Sequence, residues 1–190
     1  MTSMNSTKVQ KGKKEMRKQQ KGFSLIELLI VVAIILIIAA IAIPNLMRAK
    51  IAANDSSAAG SMRSIVTAEV GYFSAYPTLG YAANLATLGG AIGVQCVPST
   101  TTACFLDSTL ANNGNPANSG KSGYNFAATP IAATATTPAE FWATGTPMGA
   151  TTGSKAYCAT EDGVVRTQAA GTITAVGGWG ACLLLGPLAN

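Results

Sequence analysis

The chain has 190 residues and a formal net charge of +5, and most of its basic residues lie at the front. Residues 1–22 carry seven basic side chains and one acid, whereas the rest of the chain carries six basic and seven acidic side chains. The body therefore shows no clustered cations of the kind that nucleic-acid binding needs. No histidine is present, which excludes Ser-His-Asp and Cys-His nucleophile pairs and removes the commonest neutral metal ligand. We expect neither an enzyme nor a bound cofactor.

A continuous apolar run follows the basic leader. Residues 23–43 contain only two polar side chains, Ser24 and Glu27. A helix of this length spans roughly 30 Å, enough to cross the hydrocarbon core of a bilayer. The basic flank before the run predicts a cytoplasmic N-terminus and a body on the other side of the membrane. Because a carboxylate in such a segment is costly unless it has a partner, Glu27 disfavours both an ordinary signal peptide and a plain anchor.

The residues around Gly22 resemble a known N-terminal signature. The run KGFSLIELLIVVAI, from Lys21 to Ile34, is similar to the start of type IV pilins and the related pseudopilins. The resemblance implies that a prepilin peptidase cuts after Gly22, methylates the new N-terminal Phe23 and leaves Glu27 as the fifth mature residue. It also assigns Pro44 to the family's usual proline, where helix loosening is expected.

The sequence predicts four segments. Residues 1–22 are a leader that the peptidase removes, and residues 23–43 are a transmembrane and filament-core helix. Residues 44–76 continue this helix with an amphipathic face, and residues 77–190 form an extracellular, disulfide-containing, β-rich domain. The leader is long for pilins whose mature chain begins with Phe, so we hypothesise that translation starts at Met16, which leaves a leader of seven residues.

The amphipathic part of the helix is predicted from apolar residues at three- and four-residue steps. Glu69 alone interrupts this face, and Pro77 supplies the stop. We expect the face to pack on the sheet of the body. Its residues are Ala58, Met62, Ile65, Val66, Glu69, Tyr72, Phe73 and Tyr76.

Beyond Pro77 the composition favours short strands and loops, so the predicted class is α+β, a long N-terminal helix packed against an antiparallel sheet. Candidate strands are residues 124–128, 140–143, 155–160, 164–167 and, weakly, 172–176. Asp162 and Gly163 between two apolar runs predict a hairpin. Residues 83–93 and 129–138 are predicted to be surface loops.

The four cysteines show no Cys-x-x-Cys spacing, which disfavours a zinc or redox site. An even number behind an export-type segment is more typical of two disulfides. Three pairings are possible, and we favour Cys96 with Cys104 and Cys158 with Cys182. The first closes a short loop, and the second ties the hairpin to the C-terminal tail.

Two further clusters have ordinary structural interpretations. Glu161 and Asp162 offer only two carboxylates, whereas calcium binds six to eight oxygens, so a hairpin turn is favoured over a calcium loop. The run from Gly177 to Gly180 lacks the context of a phosphate-binding loop. We interpret it as a flexible loop that presents Trp179 for packing or contact.

The combined prediction is a structural subunit of a type IV pilus for adhesion, motility or uptake. The alternatives are a pseudopilin of type II secretion and, from another class, a signal-anchored adhesin or receptor at a filament tip. Expected partners are the prepilin peptidase, identical or related pilin subunits, the inner-membrane assembly platform and the membrane, and nucleic acid is not firmly indicated. The chain is expected in the bacterial inner membrane before assembly and in an extracellular pilus afterwards.

Overall fold

A computed structural model describes residues 22–168 and 178–188. The chain divides into two units, one ending at Ala42 and the other beginning at Ile43. Helix α1 (Leu25–Ala75) runs through 51 residues. It ends one residue before the predicted limit, because Tyr76 precedes Pro77 and is biased away from helix.

The amphipathic half of α1 contributes one wall of the core. Met62, Ile65 and Tyr72 on the helix belong to the same buried cluster as Phe126, Phe141 and Tyr157 of the sheet. The predicted face therefore packs on the sheet, although near its end Phe73 is exposed and Tyr76 is only partly buried.

The sheet has four antiparallel strands in sequential order. They are β1 (Tyr124–Ile131), β2 (Glu140–Pro147), β3 (Ala156–Thr160) and β4 (Val165–Gln168). The long helix and this sheet confirm the α+β class. The predicted hairpin at Asp162 and Gly163 joins β3 to β4, and the candidate strand at residues 172–176 lies outside the described residues. Both β1 and β2 extend beyond their predicted ends, because their pairing continues over eight residues.

Strand β3 is buried along its whole length because both of its faces are covered. Tyr157 and Ala159 point into the core shared with α1. Cys158 points the other way, where it packs with Cys182 and Leu185.

Three short helices lie in the body: α2 (Leu85–Leu88), α3 (Ser108–Ala111) and α4 (Trp179–Leu183). The prediction of a surface loop at residues 83–93 is wrong, since Leu85 and Leu88 are buried and the Asn84 side chain caps α2. The loop predicted at residues 129–138 begins only after β1 ends at Ile131. Asp107 caps α3 in the same way as Asn84 caps α2.

The segment around Trp179 is also not the flexible loop that the sequence predicts. Gly178 precedes the first turn of α4, and Trp179 is its first residue, while Gly177 lies outside the described residues. The Trp179 Nε1–H donates to the Glu161 carboxylate at 2.9 Å. This contact and the disulfide at Cys182 hold α4 against the β3–β4 hairpin.

Two buried carboxylates of α1 face the body. Asp55 accepts hydrogen bonds from the Tyr124 hydroxyl and from the Ser154 backbone N–H and hydroxyl. Glu69 is fully buried, and its Oε2 accepts the Ala82 N–H at 2.9 Å. Its Oε1 has no hydrogen-bond partner among the described residues. Burial therefore raises the pKa of Glu69 to about 7, although the Ala82 hydrogen bond acts in the opposite direction.

Disulfides join Cys96 to Cys104 and Cys158 to Cys182, the pairing favoured from the sequence.

The two carboxylates of the β3–β4 turn, Glu161 and Asp162, bind other side chains of the body. Arg166 pairs with Asp162 and lowers the pKa of that carboxyl to about 2, and Glu161 binds Trp179. Within residues 22–168 and 178–188, no three potential metal-binding side chains of His, Cys, Asp or Glu come together.

Candidate processing and assembly site

The junction between Gly22 and Phe23 is open to solvent. Both residues are exposed, and the Phe23 side chain is 82% accessible. A Cβ atom added at Gly22 would meet no heavy atom within 4 Å. No packing within the described chain therefore requires glycine at this position, and the peptide bond that follows it is sterically accessible.

Glu27 lies in the first turn of α1 and helps to cap the start of the helix. Ser24 is the residue before the helix, and its backbone N–H donates to Glu27 Oε2 at 2.9 Å. This is the reciprocal half of a capping box, in which a glutamate at the third helical position binds the N-cap amide. The Ser-x-x-Glu spacing of Ser24 and Glu27 could have revealed this role from the sequence alone. Glu27 thus has a local function that we did not predict.

The first unit of the chain presents apolar side chains on all sides of α1. Every large hydrophobic residue from Leu25 to Ile41 is exposed. One described helix, α1, is long and apolar enough to cross a membrane, and its apolar window is fully unburied. A helix that is apolar all round requires an apolar environment, which a bilayer or a bundle of similar helices supplies.

Pro44 lies within α1, immediately after this apolar run. Because proline has no N–H, the Ala40 carbonyl lacks its usual partner four residues along the helix. The helix nevertheless continues to Ala75. Pro44 therefore marks a weak point in the hydrogen-bond ladder where the fully apolar segment ends.

The four N-terminal site residues occupy separate positions along the chain. Gly22 and Phe23 form the exposed end, Glu27 caps the first turn of α1, and Pro44 follows Glu27 by 17 positions in the sequence. The arrangement can present a cleavable bond and an apolar helix, and cleavage would place a cationic amine four residues from the Glu27 carboxylate.

Comparison with known protein families identifies a motif at this end of the chain. Residues 17–43 match the family model for the prokaryotic N-terminal methylation motif. Residues 17–43 carry a prepilin-type methylation motif. The motif contains the Gly22–Phe23 junction, Glu27 and the whole apolar run of residues 23–43.

Two curated proteins match part of the chain. The type IV major pilin protein PilA of Myxococcus xanthus is 46% identical over 56 residues, which are 30% of this chain and 26% of that protein. The type IV wide pilus major component PilA4 of Thermus thermophilus is 62% identical over 39 residues, which are 20% of this chain and 30% of that protein. The chain thus spans less than a third of the length of each relative. No solved structure gave a significant match.

Proposed function

We propose that this protein is a structural, non-enzymatic subunit of a type IV pilus, made as a prepilin and polymerised through its N-terminal helix. The observation that carries the proposal is the position of the methylation motif. It lies at the head of a helix whose apolar surface is exposed on all sides. A filament core made of such helices would bury that surface.

Processing prepares the inserted subunit for assembly. A prepilin peptidase cleaves after Gly22 and methylates the new amino group of Phe23. The open surroundings of Gly22 support this step, since a side chain there would meet no heavy atom of the described residues and the bond after Gly22 is accessible. Leader removal would also take away six net positive charges.

Membrane insertion precedes assembly in this proposal. The apolar part of α1 crosses the bacterial inner membrane, with the basic leader in the cytoplasm and the body on the opposite side. An inner-membrane assembly platform then moves the subunit into an extracellular pilus. The exposed apolar surface remains covered throughout, first by lipid and then by helices of neighbouring subunits.

Glu27 is proposed to guide the transfer from membrane to filament. The methylated amine of Phe23 stays cationic, and in an entering subunit it approaches Glu27 of a neighbour. Pairing these charges lowers the cost of placing either of them in an apolar filament core. The capping contact with Ser24 uses only one carboxylate oxygen, so Glu27 keeps an oxygen for a second partner.

Immunogold labelling with antibodies against the body tests the proposal. A pilus subunit should be labelled on surface filaments, along the whole length for a major subunit and at the tip for a minor one. Label confined to cell membranes, with none on filaments, would contradict the proposal. A strain that lacks the gene is the control for antibody specificity.

A further inference from the structure

The body carries an apolar groove at the end of α1. Its walls come from Phe73, from the turn at residues 77–81 and from the segment between β1 and β2, and its volume is about 700 Å³. Leu79 is 57% exposed at its edge. Tyr81 stacks on Phe73 and contacts Phe141, with ring centroids 4.9 and 4.7 Å apart. Because these rings hold one another in place, the groove is already formed in the single chain.

One rim of the groove carries a negative charge. Glu140 directly follows the groove residue Ala139, and it is the register partner of Ile131, which also lines the groove. Among the described residues the Glu140 carboxylate has no hydrogen-bond or ion-pair partner, whereas Asp107 and Asp162 are both paired. A ligand for this groove should therefore combine an apolar surface with a cation.

Such a surface exists on α1 in the same unit of the chain. Ile43, Leu46, Met47 and Lys50 have the spacing i, i+3, i+4 and i+7, which places them on one helix face. All four are exposed, and Leu46 is 71% accessible. Lys50 has no acidic partner among the described residues. Three apolar side chains followed by a cation match an apolar groove with an acidic rim.

The groove and this helix face cannot meet within one molecule. Met47 and the groove residue Phe73 lie on the same helix, 26 residues apart. At ~1.5 Å per residue the two are separated by about 39 Å. The matching occupant is therefore the same segment of another copy.

We propose that residues 43–50 of one subunit dock in the groove of a neighbouring subunit, with Lys50 beside Glu140. This inference rests on the proposed function and identifies one contact between subunits. The two surfaces lie at different places on the chain, so the contact is heterologous, and such contacts build open helical assemblies when their rotation does not close a ring. The pairing therefore favours a filament over a closed dimer.

Site-specific photo-crosslinking in whole filaments tests the contact. Full-length chain with p-benzoylphenylalanine at position 79 is assembled, sheared from cells and irradiated, and crosslinked peptides are identified by mass spectrometry. We expect a subunit dimer in which position 79 is attached to residues 43–50. The control places the photoreactive group at Val94, which is 67% exposed and outside the groove, and this variant should give no attachment to residues 43–50.

Charge reversal tests the proposed ion pair. Glu140→Lys and Lys50→Glu should each reduce the amount of sheared filament severalfold, and the double variant should restore most of it. Normal yield from both single variants, or attachment of position 79 to another segment, another protein or lipid, would overturn the docking. If the unmodified chain forms no filaments, the proposed function is wrong as well. If it forms filaments in which position 79 is attached elsewhere, only the docking is wrong.

Discussion

The Tyr124 hydroxyl at the start of β1 and the buried Asp55 carboxylate on α1 form a hydrogen bond of 2.5 Å. The phenol has one proton, so it donates to Asp55 while lying 2.8 Å from the Lys155 carbonyl oxygen. Burial, followed by the bond to Asp55, raises the pKa of Tyr124. This hydrogen bond joins α1 to β1, and its two residues lie 69 positions apart in the chain.

Replacement of either partner should destabilise the body. Tyr124→Phe removes one hydrogen bond to a carboxylate, for which we expect a loss of about 1.5–3 kcal/mol in the free energy of unfolding. Asp55→Ala should cost more, because it also leaves the Ser154 N–H without its partner. Denaturant titration of the mature full-length chain in detergent micelles measures both values. Ser57→Ala, which removes an exposed hydroxyl contact with Ser122, is the control and should stay within about 0.5 kcal/mol of the parent.

Glu69 should make the stability of the body depend on pH. Its pKa is raised from 4.5 to about 7 in the folded chain, so between these values the folded state holds a proton that the unfolded state has lost. The free energy of unfolding should therefore fall as the pH rises from about 4.5 to 7, by about 3 kcal/mol at most, and level off above pH 7. Glu69→Gln should remove this slope and should be more stable than the parent at pH 8.

Denaturation midpoints at several pH values from 4 to 8 check this prediction. Glu140→Gln, which removes a carboxylate from the groove rim, is the control for the loss of one negative charge. A parental slope that persists in Glu69→Gln would show that another group is responsible. A Glu69→Gln chain less stable than the parent at pH 8 would contradict the burial argument.

The two disulfides should contribute unequally to stability. The Cys158–Cys182 bridge closes a segment with a sequence separation of 24, and the Cys96–Cys104 bridge one of 8. Loop-closure entropy predicts losses of about 3.5 and about 2.5 kcal/mol when each pair is replaced by alanine. Peptide mapping without reduction establishes the pairing, and unfolding of the two double variants establishes the order. Free thiols or crossed pairs would contradict the assignment.

The sequence predicted the parts of the fold that have a strong repeating pattern. Regular apolar spacing located the buried face of α1, and Asp162 with Gly163 located the β3–β4 hairpin. The short helices were missed, because four or five residues form too short a periodic pattern. Their stability comes from caps such as Asn84 and from the disulfide at Cys182.

Burial of the polar residues of α1 was harder to predict. The partners of Asp55 lie 69 and 99 positions away, so only the folded chain brings them together. Glu69 was recognised as an interruption of the apolar face, yet its hydrogen bond to Ala82 depends on the path of the turn after α1. At the N-terminus, the resemblance to the pilin signature identified Glu27 as a site residue. Its capping contact with Ser24 could have been predicted from the Ser-x-x-Glu spacing, which is a separate local pattern.

Two substitutions at Glu27 separate its proposed charge pairing from its capping role. Glutamine can still accept the Ser24 N–H, so Glu27→Gln removes the charge and retains the cap. If charge pairing guides assembly, Glu27→Gln and Glu27→Ala should both be cleaved after Gly22, remain in the membrane and reach filaments poorly. Immunoblots of sheared filaments, with each variant as the sole copy, measure incorporation. Normal incorporation of Glu27→Gln would contradict charge pairing and would leave capping as the role of this residue.

The most direct test of the whole account is intact-mass and N-terminal analysis of the protein in sheared surface filaments. We predict a chain that begins at Phe23, carries one methyl group on its amino terminus and contains two disulfides. In a variant with a bulky residue at Gly22, unprocessed precursor should accumulate in the membrane and the filaments should lack this chain. A filament-free protein that begins at Ile43, or an N-terminus at Phe23 that persists in the Gly22 variant, would contradict the account.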